Sequence, residues 1–230
     1  MIWRMKYPGG KGRTFQHVVN LMPPHSVYIE THLGGGAVLR NKKPALRSIA
    51  IELDERVIAA WKGLQQMPAQ LVQGKAEDFL RSYAFTGEEL VYCDPPYHPA
   101  TRRQPRVYRH DYSQDDHVQL LKVLKTLPCK VLISGYAHPL YDEMLAGWNC
   151  KKFEAATHSG IREECLWFNY EPPTELHDAR YLGDNFRERQ TTKRRLQRLQ
   201  SKVIAMDAVE RTAFMQWMRE EFSFQTGEVA

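Results

Sequence analysis

The chain has no Cys-x-x-Cys pair; its four cysteines, Cys93, Cys129, Cys150 and Cys165, stand far apart. That spacing argues against a structural zinc site or a disulfide framework and fits a reducing compartment, so no metal and a cytoplasmic location are expected. No apolar run approaches the ~18–20 residues needed to span a bilayer, and no membrane attachment is expected. The opening Met-Ile-Trp-Arg-Met-Lys-Tyr-Pro-Gly-Gly-Lys lacks the apolar stretch of a signal peptide, which speaks against export. Charge of one sign is also scarce: 32 Lys and Arg against 27 Asp and Glu leave a net +5. So small an excess hints at an anionic partner only through where it is concentrated. What the chain does have is an ordinary core-forming composition, 43% hydrophobic and 26% charged over 230 residues. That is enough for one α/β domain and a modest appendage.

Between Val27 and Phe168, short β-branched runs alternate with amphipathic stretches, the pattern of parallel strands joined by crossover helices. Strands are expected at Val27 to Leu33, Ser48 to Leu53, Gln70 to Gln73, Leu90 to Cys93 and Lys130 to Ser134. Helices are expected at Asp54 to Gln66, with Val57, Ile58, Trp61 and Leu64 on one face, and at Ser113 to Leu127, capped by Ser113. Lys151 to Thr157 and Cys165 to Asn169 read as a closing antiparallel hairpin. Glu171-Pro-Pro-Thr ends this pattern, which puts a boundary near residue 173 and separates a domain at 1–172 from a helical extension at 173–230. Within the extension, Arg187 to Lys202 holds seven basic residues and one acid. Asp207-Ala-Val-Glu210 opens a second helix in the manner of a capping box.

In open parallel sheets, ligands bind beyond the carboxyl ends of the strands, and three unusual segments fall there. Glu30-Thr31-His32-Leu33-Gly34-Gly35-Gly36 is a glycine-rich turn that allows close approach to the backbone. Glu52-Leu53-Asp54 supplies an acid able to take the two hydroxyls of a ribose. Together they suggest an adenosine-containing cofactor, although the glycines do not spell Gly-x-Gly-x-x-Gly, and Asp54 also suits a plain helix cap. The third segment, Asp94-Pro95-Pro96-Tyr97, is harder to explain as structure alone. Two prolines remove two N–H donors and leave carbonyls without ladder partners. A carboxylate before them and an aromatic ring after them suit an exocyclic amino group on a flat heteroaromatic ring.

Asp-Pro-Pro-Tyr after a central strand resembles the signature of amino methyltransferases, and the order of motifs resembles the Dam-type DNA adenine N6-methyltransferases. Tyr7-Pro8-Gly9-Gly10-Lys11 is similar to their N-terminal cofactor motif, and Glu30 to Val38 to their glycine-rich segment. Glu52 stands where their ribose-binding acid stands. Thr101-Arg102-Arg103, Tyr108-Arg109-His110, Asp116-His117, Ser134-Gly135-Tyr136 and Glu164-Cys165-Leu166-Trp167 resemble stand-alone phage and prophage members. The resemblance implies a Rossmann-like, S-adenosylmethionine-dependent methyltransferase with a C-terminal helical extension and DNA as partner. By it, Tyr7, Lys11, Glu30, Gly34, Gly35, Gly36, Glu52, Asp78 and Asp94 would bind cofactor. Lys11 would sit near the cofactor's polar end or the active-site loop. Asp94 and the carbonyl of Pro95 would accept the N6 hydrogens of a flipped adenine, with Pro96 holding the turn and Tyr97 stacking on the base. The family's recognition insert is missing, since Gly36 and Asp94 are only 58 positions apart. DNA contacts are therefore expected from Arg102, Arg103, Tyr108, Arg109 and His110 after the signature, and from Lys193, Arg194, Arg195 and Arg198 in the extension.

Two alternatives stand beside this reading. An RNA adenine or other amino-methyltransferase would present a similar pocket. A nicotinamide-dependent dehydrogenase would use the glycine-rich turn and Glu52, but would leave Asp94 to Tyr97 without a role.

Overall fold

The computed structural model describes residues 10–64, 68–102, 109–157 and 160–222. The chain forms two compact units that divide at residue 180. The first unit holds one seven-stranded sheet. Its strands are β1 (Val27–Glu30), β2 (Arg47–Glu52), β3 (Gln70–Gln73), β4 (Glu89–Cys93), β5 (Lys130–Gly135), β6 (Asn149–Thr157) and β7 (Gly160–Phe168). Their order across the sheet is β3-β2-β1-β4-β5-β7-β6, with β7 antiparallel to both of its neighbours and the rest parallel. This is a Rossmann-like α/β sheet closed by an antiparallel hairpin. The chain winds outward from β1 to β3 and then returns to place β4 on the other side of β1. The crevice beyond the carboxyl ends of β1 and β4 is the switch point where such sheets take ligands.

The strands form where side chains can be buried on both faces. All five residues of β4 are buried, as a central parallel strand requires. Ile29, Ile49, Ile51, Val91, Val131 and Ile133 meet in one core cluster. The helices of this unit are α1 (Phe15–Val19), α2 (Ala37–Asn41), α3 (Glu55–Lys62), α4 (Ala76–Ser82), α5 (Gln114–Thr126) and α6 (Pro139–Met144). Asp54 caps α3 by accepting from the Arg56 N–H, and Val57, Ile58 and Trp61 are its buried face. Ser113 caps α5 in a complete capping box with Asp116. The buried stripe of α5 is Leu120, Leu121, Val123 and Leu124 together with His117.

Residues 173–179, assigned by sequence to the extension, are tied to the sheet unit instead. The His177 N–H donates to the Met22 carbonyl, and Asp178 accepts from the Lys43 N–H. The proline pair ends the sheet without releasing the chain. The second unit contains α7 (Phe186–Ala205) and α8 (Ala208–Phe222). Asn185 caps α7, and Asp207 accepts from the N–H groups of Val209 and Glu210 at the start of α8. Neither helix buries a residue. Among the described residues, no helix is long and apolar enough to cross a membrane.

Candidate active site

The turn after β1 is built around glycine. Gly34 and Gly36 have positive φ of 45° and 57°, and a Cβ on Gly36 would run into the Trp61 ring of α3. Trp61 also donates from Nε1 to the Gly34 carbonyl at 2.9 Å, which fixes the turn against α3. Glu52, at the end of β2, accepts from the N–H of Gly34 at 2.8 Å through one oxygen and from the N–H of Asp54 at 2.9 Å through the other. One carboxylate thus joins the two loops that frame the crevice. Glu30 accepts from the Tyr28 hydroxyl and from the Leu39 N–H, and burial pushes its carboxyl up to about 8. Burial raises Glu52 as well, against the pull of its backbone hydrogen bonds.

A pocket lies beyond these strand ends, and residues of the Lys11 motif, the glycine-rich turn, the Glu52 segment and the Asp94 turn meet in it. Glu30, Gly34, Gly35, Gly36, Glu52, Asp54 and Asp94 line it together with Lys11, Lys75 and Pro96. Four acidic side chains against two lysines suit a ligand that brings hydroxyl and amino hydrogens. Asp78 is not brought there. Its side chain is 72% exposed and reaches Arg81 at 3.5 Å, because a first-turn acid of α4 faces solvent while Lys75 and Ala76 at the helix start line the pocket.

At the carboxyl end of β4 the side chains converge tightly. Asp94 Oδ1 accepts from Lys11 Nζ at 2.7 Å and from the Ser134 hydroxyl at 2.8 Å. Lys11 also donates to the Tyr97 hydroxyl at 2.5 Å, and that hydroxyl donates to Glu164 Oε2 at 3.1 Å. Glu164 Oε2 lies 3.7 Å from Lys11 Nζ. Lys11 is 4% exposed. Burial alone would lower its pKa, but Asp94 and Glu164 outweigh burial and hold the amine above its ordinary range, so it stays an ammonium. Of the two positions expected for Lys11, its hydrogen bonds select the Asp94–Tyr97 turn. The ring of Tyr97 meets Tyr136 edge-on at 4.5 Å. Ser134 and Glu164 belong to segments singled out by resemblance, but sequence reasoning assigned neither a role. The one local signal was an acid followed directly by the apolar Cys165-Leu166-Trp167-Phe168.

The loop after the turn departs from expectation. The Arg102 side chain is 5% exposed; it donates through Nε to the Tyr97 carbonyl and through a terminal nitrogen to Asp111 at 2.5 Å. A guanidinium occupied in this way is a strut of the loop and not a phosphate contact. Arg109 reaches Asp54 at 3.2 Å and Glu55 at 3.1 Å, so its charge is also matched within the chain. His110 lines the pocket, as does Tyr112, whose hydroxyl donates to Glu77 and lies 3.0 Å from His32 Nε2. Burial lowers His32 to about 3, so this pocket residue is a neutral imidazole. Tyr7, Arg103 and Tyr108 lie outside the described residues. Lys193, Arg194, Arg195 and Arg198 are exposed on α7.

The model of the D12 class N6 adenine-specific DNA methyltransferases matches residues 64–164. Over this segment the chain is similar to the D12-class methyltransferases. The matched segment runs from just beyond α3 through Asp94, Tyr97 and Ser134 to Glu164; Lys11, the glycine-rich turn and Glu52 precede it. No curated protein sequence matches the chain. Among solved structures it is similar to an rRNA methylase from Streptococcus thermophilus, with 11% identity over 72% of this chain and 98% of that one and a TM-score of 0.44. It is also similar to the N-terminal domain of human METTL16 in complex with SAH, with 15% identity over 64% of this chain and 62% of that one and a TM-score of 0.42. A dimethyladenosine transferase from Plasmodium falciparum gives 12% identity over 67% of this chain and 60% of that one, with a TM-score of 0.41.

Proposed function

We propose that the protein transfers a methyl group from S-adenosylmethionine to N6 of an adenine in DNA. The observation that carries this reading is the convergence of Asp94, Lys11, Ser134 and Tyr97 at the end of β4, opening on a pocket lined by Glu30, Gly34 to Gly36 and Glu52. Glu52 would take the ribose hydroxyls of the cofactor, the glycine turn would leave room for its methionine part, and Glu30 would face its cationic end. When bound, S-adenosylmethionine supplies an electrophilic methyl carbon on a sulfonium.

The chain's own residues then have a defined task. An adenine N6 lone pair is delocalised into the ring, so the nitrogen must be made more tetrahedral to react. Asp94 and the carbonyl of Pro95 accept its two hydrogens, and Tyr97 holds the ring. As the nitrogen gains its methyl group it must lose one proton, and the carboxylate of Asp94 is the acceptor already in place. Orientation and fixed charge supply most of the rate. An adenine in a duplex must leave the stack first, at a cost of a few kcal/mol. Stacking on an aromatic ring such as Tyr97 returns about 1–3 kcal/mol.

Labelled S-adenosylmethionine with duplex DNA tests the reaction. Label is expected in DNA as N6-methyladenine. Label found only in RNA, or on a ring carbon, would overturn the substrate assignment.

The extension supports a nucleic-acid substrate through the one-sided charge of α7, whose Lys193, Arg194, Arg195 and Arg198 would lie along phosphates. His110, at the pocket rim, would be the nearest described contact to the flipped nucleotide. Replacing Lys193, Arg194 and Arg195 together by alanine is expected to flatten the plot of log K against log salt by about 2–3 units, since each phosphate contact carries about 0.9. A slope changed by less than one unit would remove α7 from the interface.

A further inference from the structure

The catalytic turn is held from a third strand by a carboxylate that none of the expected roles uses. Glu164 is 6% exposed on β7, next to the Gly135–Cys165 pair that joins this strand to β5. Its Oε2 accepts the Tyr97 hydroxyl hydrogen at 3.1 Å and stands 3.7 Å from the Lys11 ammonium. A carboxylate with so little exposure is costly to bury and persists only where partners offset that cost.

Two consequences follow from this geometry. The first is steric. A tyrosine hydroxyl that already receives a hydrogen from Lys11 must send its own hydrogen elsewhere, and here it goes to Glu164. With the hydroxyl fixed at both lone pair and hydrogen, and the ring fixed edge-on by Tyr136, the plane of Tyr97 is set before any base arrives. The second is electrostatic. One ammonium stands between two carboxylates, so the cluster carries a net charge of −1 and Lys11 is not held by Asp94 alone. Asp94 therefore keeps capacity to accept an amino hydrogen while Lys11 remains buried and charged.

We propose that Glu164 is a positioning residue for methyl transfer, acting through Tyr97 and Lys11 to preset the platform and the acceptor for the target amino group. This rests on the reading that Asp94 to Tyr97 receives an amino-bearing base. It concerns neither cofactor binding nor the glycine-rich turn, and so predicts a defect in one step only.

The test is single-turnover kinetics of the full chain with S-adenosylmethionine and substrate DNA. Glu164→Gln keeps the shape but removes the charge, and it is expected to slow methyl transfer by about 10- to 100-fold, the size of effect that follows a misplaced reacting group. Cofactor affinity should stay within about twofold, since the contacts removed are not those proposed for the cofactor. In a Tyr97→Phe background the same change should add no more than about threefold, because the shared hydroxyl is gone. A Glu164→Gln rate within twofold of the parent, or effects that simply multiply in the double variant, would overturn the proposal. If Glu164→Gln does not fold, Tyr97→Phe alone carries the test: a tenfold loss supports the hydroxyl's role, and a full rate overturns it. A parent protein that methylates no amino group at all would instead refute the reading of the site itself.

Discussion

Replacing Asp94 by alanine is expected to lower the rate of methyl transfer by on the order of 10²- to 10³-fold, the loss seen when one preorganised electrostatic group is removed from a reacting centre. The fold should survive this change, because Lys11 keeps Glu164 and the Tyr97 hydroxyl as partners. Cofactor binding should weaken far less than the rate falls, since Asp94 is only one of the residues lining the pocket and Glu30, Glu52 and the glycine turn are untouched. The diagnostic result is therefore a protein that melts near the parent temperature and binds S-adenosylmethionine but transfers little. Asp94→Asn is informative for a different reason. An amide presents one acceptor and two donors, and Lys11 and Ser134 already donate to this position. If the amide turns its oxygen to them, its N–H groups face the target amine and repel its hydrogens. Asparagine should consequently rescue little of the loss; alanine or asparagine variants with more than a tenth of the parent rate would exclude Asp94 as the acceptor.

The second large effect is expected at Lys11. Lys11→Met removes a 4% exposed cation and leaves Asp94 and Glu164, 17% and 9% exposed, facing one another across its place. Breaking a buried ion pair from one side typically costs about 3–5 kcal/mol. In a unit of this size that corresponds to a melting temperature lower by about 10 °C. Thermal melts of parent and variant measure the loss. A variant that melts within about 2 °C of the parent at neutral pH would mean that the ammonium is not what holds the two carboxylates in place.

The parts of this arrangement that could be read from sequence were those fixed by local chemistry. Strand β4 was legible because a continuous apolar run between turn signals has few other uses. The Asp94 to Tyr97 turn was legible because a proline pair after a buried strand makes little sense as packing. The glycine-rich turn and Glu52 were legible as a pair, although Glu52's double hold on Gly34 and Asp54 was not. Arg102 and Arg109 were misread because a charged residue in a loop does not reveal whether an acid elsewhere will take the charge. Asp111 lies nine residues beyond Arg102, and Asp54 lies 55 residues before Arg109. Asp78 failed for a related reason: an acid in the first turn of a helix is favourable in solvent on its own account. Glu164 illustrates the general limit. Its partner Tyr97 is 67 positions away, and only the antiparallel docking of β7 beside β5 makes them neighbours.

That docking also bears on how the protein comes into being. The site draws Lys11 from the early part of the chain, Asp94 and Tyr97 from its middle, and Glu164 from the last strand of the sheet. During synthesis the first four strands can pair as soon as they emerge, yet the ammonium buried beside Asp94 gains its second carboxylate only when the final hairpin closes. Contacts of such long sequence separation form late and slowly. A nascent or truncated chain that stops short of β7 would hold a sheet and a ligand crevice but an incomplete centre, so the full set of charges around Asp94 arrives only with the last strand.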